Sequence, residues 1–161
     1  MTRQARRATG LIAVRELSDH EQSLLPPPLA AGVELDAVRV LDRAHNPYAA
    51  LMRISVVRGV RIFWPGAPGE AVTLAQRAHL AHELVHVWQY VALRRTGVEL
   101  LMSRVYRYSL DPAQPFLRYG YEQQAAIVED FVRLREGGAP RWARISASLD
   151  VYARVIATAA G

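Results

Sequence analysis

The chain has 161 residues, about half of them hydrophobic, enough for one compact domain with a buried core. It contains no cysteine, which excludes a disulfide framework and a thiolate metal site and leaves histidine and carboxylates as the available ligands. The formal charge of +5 is carried by arginine, since there is no lysine; the arginines are dispersed (Arg3, Arg43, Arg61, Arg77, Arg118 and Arg154 among them), and no nucleic-acid-binding motif accompanies them.

Residues 1–14 read as a flexible basic tail, and residues 15–161 as a single domain. The tail lacks the continuous apolar stretch of a secretory signal, so the cytoplasm is the default location. Ser18 with Glu21 forms a capping box that opens a short helix, which Pro26-Pro27-Pro28 should end. Strands are expected near Val38–Leu41, Leu51–Val57 and Val60–Trp64, the last two joined by a hairpin turn at Arg58-Gly59, with Pro65-Gly66 closing the unit. The expected fold is therefore α+β: a small N-terminal antiparallel sheet, followed by a helical part.

The helical part starts at Thr73, where Gln76 three residues later completes a second capping box, and it should stop at Gly97 after Arg94-Arg95. Between Leu74 and Leu93 this segment is apolar almost all round, as in a helix buried by its neighbours. One polar stripe interrupts it: His79, His82, Glu83, His86, Gln89 and Tyr90, with no lysine or arginine to solvate it. It is too polar for a membrane span. After a segment of mixed character ending at Asp111-Pro112, a second strong helix runs from about Tyr119 to Arg135 and breaks at Gly137-Gly138, and a last helix spans about Pro140 to Ala159.

His82-Glu83-Leu84-Val85-His86 is an H-E-x-x-H string in mid-helix. Four residues of helix advance about 6 Å and turn a little past one revolution, so both imidazoles project from one face toward one ion. Buried ionisable groups are costly unless paired or metal-bound, and a zinc ion, one per chain, meets that need. Glu83 beside them suits a general base acting on water. An open zinc site needs a third protein ligand. Glu122 is the first choice, because Ala125, Ala126 and Glu129 on its side of the helix allow close packing against the histidine helix; Glu129 and then His79 are the alternatives. If His79 took the last position, the site would be closed and inert. Tyr119, Tyr121, Tyr108 and Arg118 are candidate donors to a developing oxyanion. The cluster Arg104-Val105-Tyr106-Arg107-Tyr108 serves equally as a polyanion contact or as the lining of a peptide cleft.

The pairing of His82–Gln89 (HELVHVWQ) with Tyr119–Ala125 (YGYEQQA) resembles the bacterial Vgr-related proteins, with the predicted metallopeptidase domain attached to contractile injection systems. The similarity runs from about Arg15 through Phe131 and takes in Val38–Asp42, Arg61–Pro65 and Tyr106–Leu110. It implies a gluzincin-like, zincin-type arrangement in which His82, His86 and Glu122 are ligands and Glu83 is the base. The acidic residue that such sites commonly carry four positions after the ligand glutamate is Ala126 here, which passes the orienting role on the first histidine to Asp130. The resemblance further implies a peptide or protein substrate and a secretion-system partner. Delivery by a dedicated machine stays open, because such cargo needs no cleavable signal. A strand beside the metal, naturally the one ending at Trp64, would hold an extended substrate by backbone pairing. With only about thirty residues after Phe131 to wall the cleft, a narrow substrate range is expected. The competing reading is a catalytically silent zinc-binding adaptor or structural module of the same assembly.

Overall fold

The computed structural model describes residues 13–95, 104–145 and 147–160; the tail 1–12 and the expected stop at Gly97 lie outside the described residues. Ala13 and Val14, at the end of the expected tail, border and enter the first strand. The elements in chain order are β1 (Val14–Arg15), α1 (Asp19–Gln22), α2 (Pro27–Ala30), β2 (Arg39–Leu41), α3 (Pro47–Met52), β3 (Val56–Arg58), β4 (Arg61–Phe63), α4 (Leu74–Val91), α5 (Tyr121–Arg135) and α6 (Leu149–Ala157). The class is α+β, as expected.

The sheet differs from the expectation in sense. Its order is β1-β2-β4-β3, and although the two outer pairs are antiparallel, the central pair β2 and β4 is parallel, with Val40 opposite Ile62. The sheet is thus mixed rather than antiparallel. The parallel pairing follows from what lies between the two strands: α3 and β3 form a crossover long enough to bring the chain back in the same direction. The last two residues of α3, Leu51 and Met52, fall where the sequence leads one to expect the start of a strand. Asn46 and Pro47 decide otherwise, because the Asn46 carboxamide accepts from Ala49 N at 2.8 Å and proline sits at the first helical turn. Arg53, with φ at 52°, then ends the helix in the left-handed region. The β3–β4 turn is at Gly59, whose φ of 60° favours glycine.

Both capping boxes read in the sequence are present, at Ser18/Glu21 and at Thr73/Gln76. Pro26–Pro28 do not simply end α1; Pro27 opens the short α2. Buried Glu21 does more than cap: its carboxylate takes a bidentate pair from Arg15 (2.7 and 2.8 Å) and the Ala71 amide at 2.8 Å. It thereby ties β1 and α1 to the loop that leads into α4.

Helix α4 packs against α5 in the centre of the molecule, with Leu80, Ala81, Leu84, Val87, Ala125, Ala126, Ile127 and Val128 all in the core. Alanines on α5 allow the close approach. The last helix starts at Leu149, nine residues later than expected from Pro140, because Asp130 captures the backbone of the intervening segment. Its carboxylate accepts from the amides of Arg141, Trp142 and Ala143 at 2.6, 3.0 and 3.0 Å, and from the Tyr108 hydroxyl at 2.7 Å. The same segment is held extended by a bridge between Tyr108 and Ala143, in which Arg144 N donates to Tyr108 O at 2.9 Å. No helix among the described residues is long and apolar enough to cross a membrane.

Candidate metal centre

The two central helices bring His82, His86 and Glu122 together: one donor atom from each lies within 4.8 Å of the others, and all three side chains are buried. Glu122 Oε2 is 3.2 Å from His82 Nε2 and 3.2 Å from His86 Nε2. Among the described residues this is the one such cluster of histidine, aspartate and glutamate donors.

The hydrogen bonds around the cluster assign the imidazole protons. Gln89 Nε2 donates to Tyr121 O and to Gln124 Oε1, both at 2.9 Å, while Gln124 Nε2 donates to Tyr119 O at 2.9 Å. The Gln89 carboxamide can therefore turn only its oxygen to His86 Nδ1, 2.8 Å away, and Nδ1 must carry a hydrogen. His82 Nδ1 faces Glu129 Oε2 at 3.2 Å, again an acceptor, and so is also the protonated nitrogen. Both Nε2 lone pairs are thus left pointing at a carboxylate oxygen. Three electron pairs converging in a buried space require a cation between them, either a proton or a metal ion.

In the metal-free chain the proton fills that role. Burial by itself would lower the His82 pKa, but the carboxylates of Glu122, Glu129 and Glu83 outweigh it and raise it to about 10. Burial would likewise raise the Glu122 carboxyl, yet the His82 and His86 imidazoles beside it bring it down to about 2. Glu129 is held below the usual carboxylate range in the same way, by His82, Trp142 and Arg133 acting against burial. Three buried carboxylates around two imidazoles give the donor set a net negative charge that a divalent cation would neutralise. The N₂O donor set fits zinc.

The remaining expected residues divide between the site and the scaffold. Glu83 is 6% exposed and lines the clefts on both sides of the cluster, with His79 Nε2 3.6 Å from its carboxylate. His79 does not join the cluster; its Nε2 is 2.8 Å from Ser55 Oγ and its ring packs edge-on against Trp64. Glu129, rather than Asp130, orients the first histidine. Seven residues after Glu122, two helical turns place it on the same face, whereas Asp130, about 100° further round the helix, holds Tyr108 and the 141–143 backbone. Tyr108 is spent on Asp130 and Tyr152, and Tyr119 donates to Asp111 O and accepts from Asp111 N, so neither reaches the cleft. Tyr121 stacks on His86 with ring centroids 4.8 Å apart. Arg118 is exposed on the 3₁₀ turn Phe116–Arg118, outside the clefts.

Two contributors have no role assigned from the sequence, and a third, Tyr106, is expected there only as part of a cleft lining, without its contact to the cluster. Gln89 stood on the polar stripe but had no role assigned, and Trp142, whose Nε1 donates to Glu129 Oε2 at 2.7 Å, lay in a segment read as helix. The Tyr106 ring stacks on Trp142 at 4.8 Å and lies over His82 at 5.8 Å, and it lines both clefts. Burial and the neighbouring Glu122, Glu83 and Glu129 charges push its hydroxyl up to about 12, which keeps it a hydrogen-bond donor at neutral pH.

One cleft, of about 210 Å³, opens between the cluster, α3 and strand β3. The other opens toward His79 and Trp142 and shares Ile54, Ser55, His82, Glu83 and Tyr106 with it, so the two meet at the site. The strand bordering the first cleft is β3, not β4. The strand ending at Trp64 has neighbours on both sides, whereas β3 is the sheet edge and keeps one row of backbone groups unpaired by the sheet.

No family model matches the chain. Among curated proteins, the type VI secretion system spike protein VgrG2b of Pseudomonas aeruginosa is 27% identical over 131 residues, which cover 74% of this chain. The match spans 13% of that protein's length. Among solved structures, the effector domain of Pseudomonas aeruginosa VgrG2b superposes with a TM-score of 0.61 at 24% identity, covering 78% of this chain and 76% of that one. The chain is thus related in sequence to a Vgr spike protein of a type VI secretion system, and it shares the fold of that protein's effector domain.

Proposed function

We propose that this chain is a zinc-dependent peptidase of narrow specificity with a zincin-like, gluzincin-type centre, acting in connection with type VI secretion. The observation that carries the catalytic reading is the convergence of the two Nε2 lone pairs and the Glu122 carboxylate at a buried point where two clefts meet, with Glu83 lining both. The link to secretion is supported by the similarity to the spike protein VgrG2b.

His82, His86 and Glu122 would hold the zinc, and zinc in such a site supplies Lewis acidity that acidifies water and polarises a scissile carbonyl. Glu83 accepts the proton of the attacking water and returns it to the leaving amine. His79, whose Nε2 is 2.8 Å from Ser55 Oγ, stands 3.6 Å from the Glu83 carboxylate, beside the base rather than on the metal. Tyr106 donates its hydroxyl hydrogen to the oxygen on which charge develops. The edge of β3 holds the substrate extended through backbone hydrogen bonds.

A silent structural site has no use for a general base beside its ligands and usually closes the fourth position with a side chain. His79, the side chain placed to do so, is engaged with Ser55 instead. The test is the metal content of the purified protein by mass spectrometry. About one zinc per chain is expected in the parent and none in His86→Ala. Full occupancy in His86→Ala would contradict the assignment.

A further inference from the structure

The charge along the two clefts changes sign away from the site. Glu83, Glu122 and Glu129 stand at the centre. Beyond them, the charged residues lining the first cleft are Arg58 and Arg104, and those lining the second are Arg53 and Arg141. All four are exposed. Among the described residues Arg53, Arg58 and Arg104 make no ion pair, which leaves their guanidinium groups available to a ligand; the same holds for Arg61, Arg107, Arg118 and Arg154 elsewhere on the surface, and what sets the first three apart is their place on the clefts. Arg141 lies over the Trp142 ring at 4.5 Å, with Glu129 3.8 Å from its guanidinium.

The backbone fixes these positions. Arg58 closes the edge strand β3, and Arg53 occupies the left-handed turn that starts the approach to it. Arg104 leads into Tyr106, and Arg141 is held through its own amide by Asp130. The cations therefore stand on both sides of the bond that the site would address, along the edge where an extended chain would pair. A guanidinium fork matches a carboxylate in geometry as well as charge.

We infer that the groove selects an extended peptide with acidic side chains on both sides of the scissile bond, Arg58 and Arg104 receiving one flank and Arg53 and Arg141 the other. The inference rests on the peptide-binding reading above and adds the substrate class. A terminal carboxylate offers the same chemistry, but a chain ends on one side of a bond only, whereas the arginines stand on two. Side-chain carboxylates are therefore the assigned partners.

The test uses the full chain carrying Glu83→Gln, loaded with zinc, and fluorescent peptides capped at both ends with acidic, neutral or basic flanks, plus a neutral peptide with a free C-terminus. Anisotropy at low ionic strength should show the acidic peptide binding about tenfold or more tightly than the neutral one, with the preference shrinking as salt rises. Arg58→Glu with Arg104→Glu should abolish the preference. Arg118→Glu with Arg154→Glu, which changes the net charge equally outside the clefts, should preserve it. Equal affinities for the capped peptides, a preference lost equally in the control pair, or a free C-terminus matching the acidic flanks would each overturn the inference. Binding is read without hydrolysis, so the two readings fail separately. Charge-selective binding without cleavage by the parent would contradict the peptidase and keep the anionic groove, whereas indifferent cleavage of neutral and acidic peptides would contradict the groove alone.

Discussion

Glu129 Oε2 lies 3.2 Å from His82 Nδ1 and 2.7 Å from Trp142 Nε1, so a single carboxylate fixes the first imidazole and anchors the segment that walls one cleft. Neighbouring Asp130 makes no contact with the cluster and binds three backbone amides instead. The two adjacent acids therefore have separable roles. Glu129→Gln is expected to weaken zinc binding about 10- to 100-fold. Asp130→Asn should leave zinc affinity within a few-fold while costing on the order of 3 kcal/mol of stability, through lost charged hydrogen bonds in the core. Chelator competition and denaturant unfolding on both variants check the assignment.

Gln89 should act on the second imidazole as Glu129 does on the first. In Gln89→Leu, His86 Nδ1 loses its acceptor and Gln124 loses a donor, so zinc affinity is expected to fall by a similar factor of about 10 to 100. The same competition assay reads it. Unchanged affinity would remove the argument that fixes the His86 proton on Nδ1.

The proton and the metal compete for one place. With the His82 pKa raised to about 10, zinc binding at pH 8 should release about one proton, and apparent affinity should rise about tenfold per pH unit between pH 7 and 9. Calorimetry in buffers of different ionisation enthalpy measures the release directly. The stability of the metal-free chain carries the same sign. A raised histidine pKa contributes fully below about 6.5 and is lost as pH rises through about 10, whereas the lowered Glu122 carboxyl contributes above about 4.5 and is lost as pH falls through about 2.

Tyr106→Phe removes one hydroxyl and keeps the stacking on Trp142. Its expected effect is a fall in kcat of about 10- to 100-fold with zinc content and peptide affinity nearly unchanged, since the bond is made only as charge develops. A rise in KM alone would assign Tyr106 to substrate binding instead.

How far the sequence reveals this site depends on the range of the interactions. Spacing within one helix placed His82, Glu83 and His86 together, and the alanines of α5 pointed to Glu122, because helical periodicity is local. The choice of Asp130 over Glu129 was wrong for a reason no spacing rule contains: the 141–143 backbone claims Asp130 from across the fold. Strand sense failed similarly, since the parallel pairing of β2 with β4 depends on where the crossover lands. Asn46-Pro47 is a different case, a helix start written locally in the sequence but masked by the apolar, strand-like run after it. The roles of Gln89 and Tyr106 at the cluster became legible only once tertiary packing gave them partners.

The central claim is that Glu83 is the base of a hydrolytic zinc site, and the most direct measurement compares the zinc-loaded parent with zinc-loaded Glu83→Gln on one library of capped peptides, read by mass spectrometry. The account predicts that the parent cleaves a small set of acid-flanked peptides, while the variant keeps its zinc and its fold and cleaves the same peptides about 10²- to 10⁴-fold more slowly. Cleavage by Glu83→Gln at the parent's rate, or a zinc-loaded parent that cleaves none of the peptides, would contradict it.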